Sequence, residues 1–458
     1  MSLRYSSLMS GKNSKKISHL GGFLRFLIHF LAFSPTPLYR IFLILPSVMR
    51  TTKSFFLYLL FILSFAACRH SHTDKASDYA TKVKLNIDSL FIDLGEKQLA
   101  QRAFSADSTF RRAGLNGVVL FAEQGRIIYE KAFGWRNLSR QRDSLHIEDA
   151  FQLSSDSKMF TAEAIMLLQH RGLIGYNDDV TKYIPEFPYR GITIRNLLHH
   201  RSGLSRYEYL ADEFWTDKSV PFTNDDMIRL YAEHKPEPYF DPDTIFYYNN
   251  VNYALLASVV ERVTGTHFED FMRDNIFAPL HMDSSFIYSM RGDRKVSIYM
   301  KCAVQGHDMR RCGASKAQND YLNGVMGDKI MFSNVKDLYR FCMALDYSLL
   351  LPDSIQSEAF KPGSKKWRRQ QNYGFGWRLH EKHPETVYHF GWWKGYRSMI
   401  IRQLKYDRLL IVLTNTDRDC CRSQIWDLVD DNIHVLPSSS LNIGLWKHEH
   451  QIDLPAQP

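Results

Sequence analysis

The chain has 458 residues, 45% of them hydrophobic and 23% charged, a balance that excludes a disordered polymer and suffices for one large or two ordinary domains. The formal charge of +9 raises the question of nucleic acid. However, residues 1–73 hold nine cations and no carboxylate, eight of them before Cys68, so the remainder carries only +1 and offers no electrostatic case for a nucleic-acid partner.

The cations belong to a targeting segment. From Met49 the chain reads MRTTKSFFLYLLFILSFAAC: Arg50 and Lys53, an apolar run from Phe55 to Phe65, then Ala66 and Ala67 before Cys68. This is the pattern of a secretory signal. Its small-small-Cys ending resembles a bacterial lipobox, which implies cleavage before Cys68, a lipid on its sulfur and an envelope-anchored, periplasm-facing protein. Phe65 stands where Leu is commoner. A transmembrane anchor is the alternative, but about a dozen apolar residues fall short of the ~20 that span a bilayer. Residues 1–48 then read as upstream of the true start at Met49, or as a further membrane segment.

In chain order, residues 1–67 are leader and 68–81 a polar tether. A helix is expected at about 82–103, with Leu85, Leu90, Phe91 and Leu94 on one face. GVVLFAEQGRIIYEKAFG reads as a β-hairpin turning at Glu123-Gln124-Gly125. A helix follows over about 156–171. TIRNLLHHRSGL predicts a helix ending near Gly203, NVNYALLASVVERVTG one over about 250–264, and THFEDFMRDNIFAPL another. Residues 205–240 and 284–325 read as irregular. FSNVKDLYRFCMALD predicts a helix capped at Ser333. Strands return in YGFGWRLH, TVYHFGWWKGYRSMIIRQL and RLLIVLTNT, before a last helix at about 422–432.

Strands at both ends of the sequence must meet in one sheet. The expected fold class is therefore α/β (α+β): an antiparallel sheet flanked by helices, from 82–190 and 330–440, with a mainly helical second lobe over 191–329 and a tail at 441–458. A cleft between the two is the default place for a site. In an exported protein Cys302 and Cys312 are a possible disulfide; no His/Cys spacing suggests zinc.

Three short motifs carry chemistry. In Ser154-Ser155-Asp156-Ser157-Lys158, only Ser155 lies three before the lysine, so on a helix only its hydroxyl faces that ammonium. The same spacing at Ser333 and Lys336 reads as an ordinary capped helix start. Tyr248 and Asn250 stand two apart before a helix, where packing and capping are the usual roles. His389 and Gly391 stand two apart on a strand, and glycine there admits close approach of a ligand.

Together, in this order, these segments resemble the serine β-lactamase and penicillin-binding-protein family, specifically its class C-like branch. The resemblance runs from about Leu115 to Thr416 and includes FQLSSDSKMFTAEAI, FYYNNVNYALL, NYGFGW and HFGWWKGYRS. It implies a β-lactamase/transpeptidase-like fold and a serine hydrolase working through an acyl-enzyme, with no cofactor and no metal. Ser155 matches the acylated nucleophile, Lys158 the lysine assisting proton removal, and Tyr248 the general base. Asn250 matches the asparagine holding a substrate amide. His389-Phe390-Gly391 sits where β-lactamases carry K-T-G, and the backbone N–H groups of Ser155 and Trp392 match the oxyanion hole. Free tyrosine ionises only near pH 10, so Tyr248 needs a cation beside it: Lys158, and His389 if protonated.

The chain departs from the pattern in places. His389 in place of lysine weakens carboxylate binding through that residue. Asn249 fills a position where Ser is common, its side chain expected to face away, and Asp243 replaces a turn glycine. Trp392 and Trp393 either wall the substrate or pack the sheet. His199 and His200 read as capping or packing a helix end. The expected substrate is an ester or amide of a peptide-like or cell-wall-related small molecule or peptide. The competing reading is a non-catalytic lipoprotein that binds cell-wall peptides.

Overall fold

The computed structural model describes residues 95–290, 302–311, 313–364, 372–419 and 422–429, all within one compact unit spanning Ile87–Pro458. The expectations for the leader, Met49, Cys68, the tether, the start of the first helix and Cys312 lie outside the described residues. Among the described residues no helix is long and apolar enough to cross a membrane.

Strand β1 (Gly117–Glu123) is buried throughout, as its Val-Val-Leu-Phe run demands. It turns at Gln124 and Gly125, both with positive φ (51° and 69°), the geometry a two-residue hairpin needs, into β2 (Arg126–Phe133). Two-residue β3 (Phe151–Gln152) and β4 (Phe286–Ile287) flank β5 (Met331–Ser333) in a small sheet. The late strands are β6 (Arg378–Leu379), β7 (Thr386–Trp393), β8 (Tyr396–Gln403) and β9 (Arg408–Thr414). They join the early hairpin in one antiparallel sheet of order β6-β7-β8-β9-β1-β2. Closure of early against late strands follows from burial: Val118, Leu120, Ile411 and Leu413 share one core face, Val119, Phe121, Leu410 and Val412 the other.

The helices sort onto these two faces. Helix α1 (residues 95–113) and the last helix each supply apolar residues, Ala106 and Phe110 from α1 and Ile425 and Leu428 from the other, to the smaller core. The larger core takes α2 (Ser157–His170), α3 (Ile194–Leu198), α4 (Tyr207–Phe214), α5 (Asn224–His234), α6 (Asn250–Thr264), α7 (Phe268–Met272) and α8 (Val335–Asp346). The last helix, α9, covers Arg422–Val429.

Several expectations need correction. The segment 205–240 is not irregular but contains α4 and α5. Helix α5 begins with a capping box between Thr223 and Asp226, a signal present in the sequence with Asp in the place usually held by Glu. Its Met227, Ile228, Leu230 and Tyr231 are buried at helical spacing. Helix α3 ends at Leu198, well before Gly203, because His200 turns into positive φ (55°). The cap of α8 is Asn334, whose side chain accepts from the Asp337 N–H at 2.8 Å; Ser333 ends β5 and bonds Ser285. Of YGFGWRLH only Arg378 and Leu379 are strand. Segment 284–325 includes a hairpin, His307–Arg310 with Gly313–Lys316.

Candidate active site

The polar cluster before α2 sorts its three serines by burial. Leu153 leads into a 3-10 turn, Ser154–Asp156, and α2 follows. Ser154 is fully buried at φ 52°, and the Ser157 hydroxyl accepts the Met331 N–H at 3.2 Å. Only Ser155 is partly exposed. Its Oγ accepts from Lys158 Nζ at 3.3 Å.

Lys158 is fully buried, a costly place for an ammonium unless its donors are met. Besides Ser155, Nζ donates to Asn250 Oδ1 at 2.9 Å and to the Asp328 carbonyl at 2.7 Å. Three acceptors use its three hydrogens. Nζ also lies 5.1 Å from the Tyr248 ring centroid, so residues 93 positions apart in sequence flank one ammonium. Among the described residues the buried Tyr248 hydroxyl has no hydrogen-bond partner.

The structure thus brings Ser155, Lys158, Tyr248 and Asn250 together. Asn249 caps α6, accepting from the Val251 N–H, and its amide donates to the Leu204 carbonyl at 2.7 Å. His200 packs behind Tyr248 at a 4.3 Å ring separation; its Nδ1 accepts from the Asn249 N–H and from Asn252 Nδ2. Burial, with Lys158 and Arg378 nearby, holds it neutral.

His389 is placed differently. Its ring is wholly buried, with Nε2 2.9 Å from the Tyr373 hydroxyl and Nδ1 3.1 Å from Asp156 Oδ1. Burial raises Tyr373 well above its ordinary value, so its O–H donates to Nε2, leaving Nδ1–H to donate to Asp156. Burial also lowers His389 and pushes Asp156 up to about 7. A neutral, doubly engaged imidazole supplies no cation to Tyr248. The second cation there is Arg378, whose guanidinium lies 4.8 Å from the Tyr248 ring centroid.

Gly391 sets the spacing between β7 and the turn before α2. A Cβ built on it meets the Leu153 carbonyl oxygen and Ser398 Oγ, each at 2.2 Å. Ser398 Oγ itself donates to that carbonyl at 2.6 Å. Gly376, at φ 78°, lets the segment before β6 reach the Lys158 and Met159 backbone, and its N–H donates to the Tyr253 hydroxyl. Trp392 projects with 59% of its surface exposed, whereas Trp393 is tied to Asn323 through its indole N–H at 2.7 Å.

Five further residues escaped the sequence reading. Glu208 Oε1 accepts from Asn250 Nδ2 at 2.7 Å, which turns the amide so that Oδ1 faces Lys158. Asp328 and Lys329 form a buried pair at 3.1 Å, joined to the Tyr207 hydroxyl, and that pair fixes the carbonyl that holds Lys158. Arg378 follows NYGFGW directly. Glu208 and Tyr207 lie in α4, the helix without a sequence signal strong enough to place it.

Known proteins resemble the chain in sequence and in fold. The Beta-lactamase family model matches residues 97–429. Penicillin-binding protein 4* of Bacillus subtilis (strain 168) is 33% identical over 343 residues, 73% of this chain and 72% of that protein. In fold, the chain is similar to FmtA from Staphylococcus aureus (TM-score 0.61, 19% identity, 72% of this chain and 87% of that one). It is also similar to D-amino acid amidase from Ochrobactrum anthropi SV3 (TM-score 0.57, 19% identity, 70% and 91%). The chain belongs to the β-lactamase and penicillin-binding-protein family of serine hydrolases.

Proposed function

We propose that the protein hydrolyses an ester or amide of a peptide-like, cell-wall-related substrate through an acyl-enzyme on Ser155. The observation that carries this reading is the Ser155 hydroxyl, the one serine of its cluster reachable from outside, 3.3 Å from an ammonium whose other donors are already met. Tyr248, flanked by the Lys158 ammonium, takes the Ser155 proton as Oγ attacks the carbonyl carbon. Two backbone N–H groups, of Ser155 and Trp392, receive the oxyanion. The carbon–oxygen or carbon–nitrogen bond breaks, the leaving atom takes the proton from Tyr248, and water activated by the same tyrosine releases the acid. Asn250 holds the substrate amide with the hydrogen of Nδ2 that Glu208 leaves free.

Arg378 takes over the anion-binding task that lysine performs where K-T-G occurs. Similarity to a penicillin-binding protein and to a D-amino acid amidase supports a D-configured peptide or aminoacyl substrate. The leader ending at Cys68 supports a lipid-anchored, periplasm-facing enzyme.

The test is covalent labelling with a fluorophosphonate and a fluorescent penicillin, in wild type and Ser155→Ala. A Ser155-dependent adduct with either reagent is expected; none with both would leave only a binding role. Tyr248→Phe is expected to cut turnover at least ~100-fold with little loss of stability.

A further inference from the structure

The turn that carries Ser155 also carries a carboxylate that the acylation steps leave unused. Asp156, next to the nucleophile in sequence, is wholly buried, where an apolar side chain would pack without the cost of desolvating a charge. Its Oδ1 lies 3.1 Å from His389 Nδ1. His389 Nε2 in turn takes the Tyr373 O–H at 2.9 Å. The 3-10 turn, β7 and the segment before β6 thus contribute one side chain each to a buried chain, Asp156–His389–Tyr373. That chain packs against the candidate base: the Tyr248 ring centroid lies 6.1 Å from that of His389 and 6.0 Å from that of Tyr373. One imidazole separates the Asp156 carboxylate from the Tyr248 ring.

The groups facing this chain come from several elements. Lys158 of α2 and Arg378 of β6 are the cations. His200 just after α3, Tyr253 of α6, Tyr373 before β6 and Cys342 of α8 stand around it, and burial keeps all four uncharged through the neutral range. Asp156 differs, because burial brings its carboxyl up to about 7. Below that pH the Asp156–His389 pair is neutral. Above it, with the remaining proton on Nδ1, the pair carries one negative charge.

We propose that Asp156 is a positioning residue that acts on Tyr248 through His389: it fixes the Nδ1–H tautomer and adds or withholds a negative charge behind the tyrosine. The proposal rests on the acyl-enzyme reading, in which Tyr248 is the base. A tyrosine accepts a proton only after losing its own, and a carboxylate one ring away opposes that loss. Asp156 therefore restrains the site when its carboxyl is ionised and releases it when the carboxyl is protonated.

Asp156→Asn keeps an oxygen that accepts from Nδ1–H and removes the charge. The full chain, wild type and variant, is acylated with a fluorescent penicillin from pH 5.5 to 8.5, and the variant's rate is divided by that of wild type. The division cancels other titrating groups, Glu163 included. A unit charge at this remove changes the loss of the tyrosine proton by about tenfold, part of which is returned because the base so formed is weaker. The ratio is expected to stay near one at pH 5.5 and to rise to about fivefold at pH 8.5, with its midpoint near 7. A merely structural carboxylate gives a flat ratio, and a flat or falling ratio overturns the proposal. Should the variant not fold, or wild type form no adduct, the Asp156 carboxyl is followed by 13C NMR in wild type. Titration near pH 7 without an adduct keeps the Asp156–His389 unit while the acyl-enzyme reading falls; titration near the ordinary carboxylate value of about 4 ends the role of Asp156 whatever Ser155 does.

Discussion

Replacing Gly391 by alanine tests how β7 is held against the nucleophile's turn. The new Cβ meets the Leu153 carbonyl oxygen and Ser398 Oγ at 2.2 Å and the Ser154 Cβ at 3.1 Å. An ordinary contact needs roughly 1 Å more, and one of the opposing atoms is backbone in a close-packed interior, so the strand or the turn must move. Overpacking of this kind costs about 1–3 kcal/mol. Displacing Ser398 also removes its hydrogen bond to Leu153, worth about 1 kcal/mol. Stability is therefore expected to fall by about 2–4 kcal/mol in urea unfolding. A shift of about 1 Å between Ser155 and the Trp392 N–H is expected to slow acylation by a fluorescent penicillin about 100-fold. Gly95→Ala, where a Cβ meets nothing within 4 Å, serves as the control and should not lower stability. Acylation within about twofold of wild type in Gly391→Ala, with unchanged stability, would refute the reasoning.

Two other outcomes follow from the geometry. Glu208→Ala frees the Asn250 amide and is expected to lower the acylation rate about tenfold, whereas Glu208→Gln, whose side-chain oxygen still accepts from Nδ2, restores most of it; equal loss in both would remove Glu208 from the positioning role. Glu163, wholly buried beside Gln356, is pushed by burial from 4.5 to about 7, so the folded state binds its proton more tightly than the unfolded one. Its stabilisation is complete below about pH 4.5 and lost as pH rises through about 7, an effect on the order of 3 kcal/mol, and urea unfolding of Glu163→Gln should show a flatter dependence across that window.

Local order was legible in one dimension wherever a period or a cap recorded it. The hairpin at Gln124-Gly125, helix α6 with its stop at Gly265, and the contact of the Ser155 hydroxyl with Lys158 all rest on neighbours within a turn or two. The joining of first and last strands was also legible, because fully apolar strands at both ends have only each other to bury against. Helix α4 was not: it is eight residues long, has no side-chain cap and buries only Tyr207, Leu210 and Ala211.

The environment of each functional group was settled by contacts between distant segments. That Lys158 is held by a carbonyl 170 positions away, and that Glu208 orients Asn250, depends on how helices cross; periodicity carries no trace of it. His389 shows the difference most plainly. Its position in the strand was readable, but only packing against Asp156 and Tyr373 removes its charge and leaves Arg378 as the second cation, with Lys158, beside Tyr248. Residue types and spacing select which groups have the chemistry; desolvation and hydrogen bonds across the fold decide which of them carry charge and where it is felt.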